Sequence, residues 1–108
     1  MAVEPWGGLT ALDGHRWLLR LATSELAALE ADWVSVAGPH PGHDFRRELV
    51  RARDQIARAR AEIEAERRPR AGWHERARDH MRAARRVLVR RQLALHGHWW
   101  PPQRRYFG

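Results

Sequence analysis

Phe45, Leu49, Ala52, Ile56, Ala59 and Ile63 stand alternately four and three residues apart. That spacing rules out a strand and gives an α-helix one narrow apolar stripe. It is the a/d seam of a coiled coil, with alanine at alternate layers to admit a partner helix closely. A second stripe follows at Trp73, Ala77, Met81, Ala84, Leu88 and Leu95, with Arg91 where an apolar residue is expected. Between them, Arg68-Pro69-Arg70-Ala71-Gly72 is a short helix–helix connection, which makes the two neighbours antiparallel. The first of these helices is expected over 44–67, with Asp44 as N-cap after the Pro41-Gly42 turn. Opposite charges four apart line it at Asp54/Arg58, Arg58/Glu62 and Arg60/Glu64. The second is expected over 73–95, with Gly97 near its C-cap and Pro101-Pro102 forbidding continuation.

Ahead of the hairpin, Leu12, His15, Leu19, Ala22, Leu26, Leu29, Trp33 and Val36 repeat the same spacing. They predict a helix over 13–37, capped by Asp13 and stopped at Gly38-Pro39. Trp17, Leu21 and Ala28 fall nearly opposite this seam. The expected fold is all-α: a long antiparallel helical hairpin with a preceding third helix, as a three-helix bundle or an oligomeric coiled-coil assembly. At 108 residues the chain has room for one domain, 1–108, ending in an aromatic and arginine-rich tail over 96–108.

Charge narrows the class of function. All 20 basic residues are arginine. The absence of lysine, together with that of asparagine, suits coding by a genome rich in G and C. Residues 1–43 hold two arginines against five carboxylates, and residues 44–108 hold eighteen against eight. Ten arginines against Glu75 and Asp79 occupy residues 67–91. Arg78, Arg82, Arg85, Arg86 and Arg90 fan across the face opposite the apolar seam, and such a patch selects a polyanion. Three uses compete for it: nucleic-acid phosphates, with affinity that falls with salt; an acidic protein surface, including that of Glu25, Glu30 and Asp32 in this same chain; or a solvated face that aids solubility. No base-reading motif accompanies it, and the helices are too long for a compact helix-turn-helix. Val89 and Leu93 interrupt the arginine face one turn apart, as Trp17 and Leu21 do on the first helix, and both point to self-association.

Other chemistries find little support. With no cysteine the chain has no disulfides, thiolate zinc sites or thiol nucleophiles, and a reducing cytoplasm is expected. No stretch is apolar enough to span a membrane, and MAVEPWGG has the marks of neither n-region nor h-region. His40 and His43, and His96 and His98, are close enough to share a metal, yet neither pair has a zinc spacing, so no metal or other cofactor is expected. Ser24, Ser35, Glu62, Glu64 and Glu66 form no catalytic arrangement, and Gly7-Gly8 is no phosphate loop, so an enzyme is not expected. In the tail, Trp99, Trp100, Arg104, Arg105, Tyr106 and Phe107 suit stacking on bases or docking on a protein partner. A fold-back that caps the bundle is the alternative.

A basic hairpin that oligomerises, followed by a short docking segment, resembles the small DNA-packaging subunits of phages and gene-transfer particles, the small-terminase type. The resemblance is architectural and covers residues 44–108. It implies a ring built by the hairpin and a C-terminal segment engaging the motor subunit. The expectation is a non-enzymatic, homo-oligomeric, sequence-nonspecific binder of nucleic acid, DNA ahead of RNA. Arg78, Arg82, Arg85, Arg86 and Arg90 would lie on phosphates and the tail on a partner. The alternative is an adaptor whose basic helix and aromatic tail dock on an acidic protein.

Overall fold

In a computed structural model, which describes residues 11–38 and 42–96, the chain is all-α: α1 (Ala11–Ala37), α2 (His43–Glu64) and α3 (Trp73–His96). The α2–α3 hairpin is the most closely packed pair, and α1 lies against both of its helices. Ion pairs Glu25–Arg78 and Asp32–Arg85 advance together along α1 and α3, so these two run parallel with α2 antiparallel between them.

The α2 seam is buried at every expected layer, Phe45, Leu49, Ala52, Ile56, Ala59 and Ile63. On α3 the buried positions are Trp73, Ala77, Met81, Ala84 and Leu88, and on α1 they are Ala22, Leu26, Leu29, Trp33 and Val36. Ala22, Ala52, Ala77 and Ala84 are wholly inaccessible, the small layers that bring the three backbones together. Trp33 stacks on Phe45 at 4.2 Å between centroids, joining the end of α1 to the start of α2. The Trp73 indole donates to His15 Nδ1 at 3.2 Å, so the buried ring keeps a hydrogen-bond acceptor.

Several local expectations are corrected. Leu12, His15 and Leu19 are only half-buried, and α1 starts two residues before Asp13, which bonds Arg16 at 2.9 Å from inside the first turn. Asp44 is likewise inside its helix. The N-cap of α2 is Gly42, in extended backbone, whose carbonyl accepts the Arg46 N–H at 3.0 Å. At the far end of α3 the buried residue is Gln92, whereas Arg91 is exposed and Leu95 is 48% exposed. The apolar spacing continues from Leu88 to Leu95, but the structure buries Gln92 instead and leaves Leu95 outside the core.

The end of α2 also departs from expectation, at Glu64 instead of Arg67. Glu66 takes the left-handed conformation at φ 57°. Its N–H bonds the Ile63 carbonyl at 2.9 Å and that of Arg67 bonds the Glu62 carbonyl at 2.8 Å, the paired bonds of a Schellman stop. The apolar contact usual between those flanking positions is replaced by a fork, Arg67 Nε and Nη2 to both Glu62 oxygens at 3.0 and 3.1 Å. The fork holds the Glu62 carboxyl below its ordinary range and pushes Arg67 up. Gly38 at φ 84° ends α1 as its sequence implied, and Gly72 at φ 77° turns the chain into α3.

Two stability predictions follow from these geometries. Glu66→Gly relieves a left-handed residue and should raise unfolding stability by about 1 kcal/mol, read by urea denaturation. Ala84→Leu forces a side chain into a seam layer with no exposed surface and should cost about 2 kcal/mol in the same measurement.

Candidate polyanion-binding face

The five arginines expected to form the binding face lie along one exposed side of α3, but they are not equivalent. Arg78 reaches Glu25 of α1 at 3.7 Å, and Arg85 reaches Asp32 of α1 at 3.3 Å. Arg82 bonds Asp79 of its own helix at 2.8 Å. On the other flank of α1, Glu30 meets Arg53 of α2 at 2.7 Å. The acidic surface weighed as a partner for the arginines is therefore partly supplied by α1 itself. Each pair is solvent-exposed and contributes only about 0–1 kcal/mol. Their importance is positional, because they decide which guanidiniums face outward unengaged.

Arg86, Arg90 and Arg91 have no carboxylate partner among the described residues. The sequence explains why. Residues 1–79 carry thirteen arginines and thirteen carboxylates, whereas residues 80–108 carry seven arginines and no carboxylate. The entire formal net charge of +7 thus resides after Asp79. Two of its carriers, Arg90 and Arg91, lie in the C-terminal half of α3.

This end of α3 is also shaped. The aliphatic stems of Arg82, Arg85, Arg86 and Arg90 surround Val89 in an open depression of about 480 Å³. Half-buried Val89 forms its floor, and Leu93 lies a turn beyond at 43% exposure. The arrangement offers planar donors around a small apolar centre, suited to oxyanions spaced along a chain. A second cleft, of about 280 Å³, lies between α1 and α3 and is bridged by Glu25–Arg78.

Polar contacts that the sequence did not announce tie α2 to α3. His80 Nδ1 lies 2.8 Å from Glu48 Oε1, and Arg47 and Arg51 approach the same carboxylate at 3.6 and 3.7 Å. The His80 hydrogen bond, with those charges, lowers the Glu48 pKa against the opposing effect of burial. Arg76 donates to Gln55 Oε1 at 3.1 Å and to the Ala71 carbonyl at 2.8 Å, pinning the interhelical loop. Their only advance signal was a set of polar residues flanking the seams, which periodicity alone cannot pair.

Trp99, Trp100, Arg104, Arg105, Tyr106 and Phe107 lie outside the described residues, as do His40 and His98. His43 opens α2 and is exposed, and His96 is the last residue of α3. Among the described residues no three His, Cys, Asp or Glu side chains are grouped as metal ligands, and no helix is long and apolar enough to cross a membrane. No protein-family model matches this chain, and no curated protein or solved structure is similar to it.

The Glu48 contact gives a pH prediction. A carboxyl whose pKa is lowered by folding contributes stability that is full above its ordinary value near 4.5 and is lost as pH falls through the lowered one. Glu48→Gln should therefore cost about 1 kcal/mol at neutral pH. The gap to wild type should close in urea titrations taken progressively below pH 4.5.

Proposed function

We propose that this chain is a non-enzymatic binder of nucleic-acid backbone, acting through the C-terminal half of α3 without reading sequence. The observation that supports it is the confinement of the whole net charge to residues 80–108, with Arg86, Arg90 and Arg91 unengaged by carboxylates among the described residues. A duplex or single strand presents phosphates at regular spacing, and guanidiniums one helical turn apart, as at Arg82, Arg86 and Arg90, can follow them. Arg78, Arg82 and Arg85 are secondary in this reading, since Glu25, Asp79 and Asp32 compete for them. DNA is preferred to RNA as the partner, in a packaging role of the kind that a basic hairpin with a docking tail resembles.

A second reading has one observation in its favour. Val89 and Leu93 set apolar surface within the arginine face, which an acidic amphipathic protein segment would cover and a phosphate backbone would not. The chain would then be an adaptor.

Random-sequence duplex binding measured between about 50 and 200 mM salt separates the two. Three to four neutralised phosphates predict roughly a hundredfold loss of affinity over that range. Arg86→Glu/Arg90→Glu should abolish binding, and Arg68→Glu/Arg70→Glu, with the same change of net charge in the interhelical loop, should not. Val89→Ser/Leu93→Ser should leave duplex affinity unchanged. Equal loss in both charge reversals, or no binding at low salt, overturns the nucleic-acid reading.

A further inference from the structure

Between Leu21 and Ser35 every residue of α1 that is exposed is uncharged: Leu21, Thr23, Ser24, Ala27, Ala28, Ala31, Val34 and Ser35. The three carboxylates of that stretch, Glu25, Glu30 and Asp32, lie to the sides and are all bound to hairpin arginines. The exposed side of α2 is different, with arginine or carboxylate at each turn. Two large apolar side chains are exposed within that stretch, Leu21 at 36% and Val34 at 56%, and Trp17 at 56% precedes it between Arg16 and Arg20.

This side of α1 has a seam of its own. Trp17, Leu21, Ser24, Ala28, Ala31 and Ser35 repeat the four-three spacing along the exposed side of α1, with Ala28 also at the rim of the cleft toward α3. Read from either end the spacing is the same. Turned head to tail about its midpoint, the seam sets Trp17 against Ser35, Leu21 against Ala31 and Ser24 against Ala28. Large residues meet small ones at each outer layer, which is the condition for a two-fold, self-complementary interface.

We propose that two copies of this chain pair antiparallel through this outer face of α1. Charge selects both the occupant and the direction. Because α3 runs parallel to α1, its basic C-terminal half lies at one end of the molecule. A parallel pair would bring two such ends together, whereas the antiparallel pair holds them apart and opposes the helix dipoles. Glu25 and Asp32 border the seam, and their bonds to Arg78 and Arg85 keep that border neutral. The inference stands apart from the nucleic-acid reading, since it uses none of the unengaged arginines.

Sedimentation equilibrium on the full chain gives the first test, with a mass twice the 12.6 kDa of one copy expected at micromolar concentration. Ala31→Glu places a carboxylate in an exposed position of the single chain but inside the pair. It should weaken association by more than about a hundredfold while circular dichroism stays unchanged. The chain has no cysteine, so register can be read directly. Mixing Leu21→Cys chains with Ala31→Cys chains under oxidation should yield the mixed disulfide and neither homodimeric one. A monomeric wild type, a dimer indifferent to Ala31→Glu, or a disulfide between two Leu21→Cys chains overturns the proposal.

Discussion

Alanine at the inner layers of three apolar seams sets how this molecule is arranged. Ala52 and Ala59 on α2, Ala77 and Ala84 on α3 and Ala22 on α1 are all buried. They let the backbones approach closely enough for side chains on the flank of one helix to reach the next. Trp33 and Phe45 stack between the end of α1 and the start of α2 and join α1 to the hairpin there. Once α1 is held in that groove, its polar residues have little choice of neighbour. Glu25 and Asp32 fall beside α3 and Glu30 beside α2, each within reach of an arginine.

The consequence is a segregation of charge that composition alone does not show. A chain with +7 overall has a balanced body, an α1 whose exposed residues from Leu21 to Ser35 are uncharged, and a basic extremity after Asp79. The ion pairs themselves add little stability, because both partners remain in water. Their effect is to withdraw Arg78 and Arg85 from the outward face and leave Arg86 and Arg90 as its most available cations. One arrangement therefore accounts for two surfaces of opposite character: a bare helix face suited to a second copy, and an arginine face suited to a polyanion.

Much of the fold was legible in the sequence because seams are a local property. The α2 stripe is buried residue by residue, and that of α3 holds from Trp73 to Leu88. It failed at Gln92 and Leu95, where the buried position is a polar residue off the apolar spacing. Helix ends were less legible. Asp44 has the chemistry of a cap, but the chain is capped two residues earlier, at Gly42. Nothing in the residue type of Glu66 announces a left-handed turn. As for the site, the arginine row was visible from spacing alone. Which of its members are engaged was not, because Glu25–Arg78 and Asp32–Arg85 join residues 53 apart in sequence. Glu48–His80 was hidden for the same reason, its two residues being 32 apart.

The most direct test of this account removes the carboxylates and leaves every arginine in place. Glu25→Gln/Asp32→Asn breaks two exposed ion pairs, a change small enough for the fold to survive. It frees Arg78 and Arg85 to join the outward face. The salt dependence of duplex-DNA binding should then steepen, with the logarithmic slope growing by about 2 and affinity rising at low salt. A slope and affinity identical to wild type would mean that α1 does not govern which arginines are available, and would contradict the account.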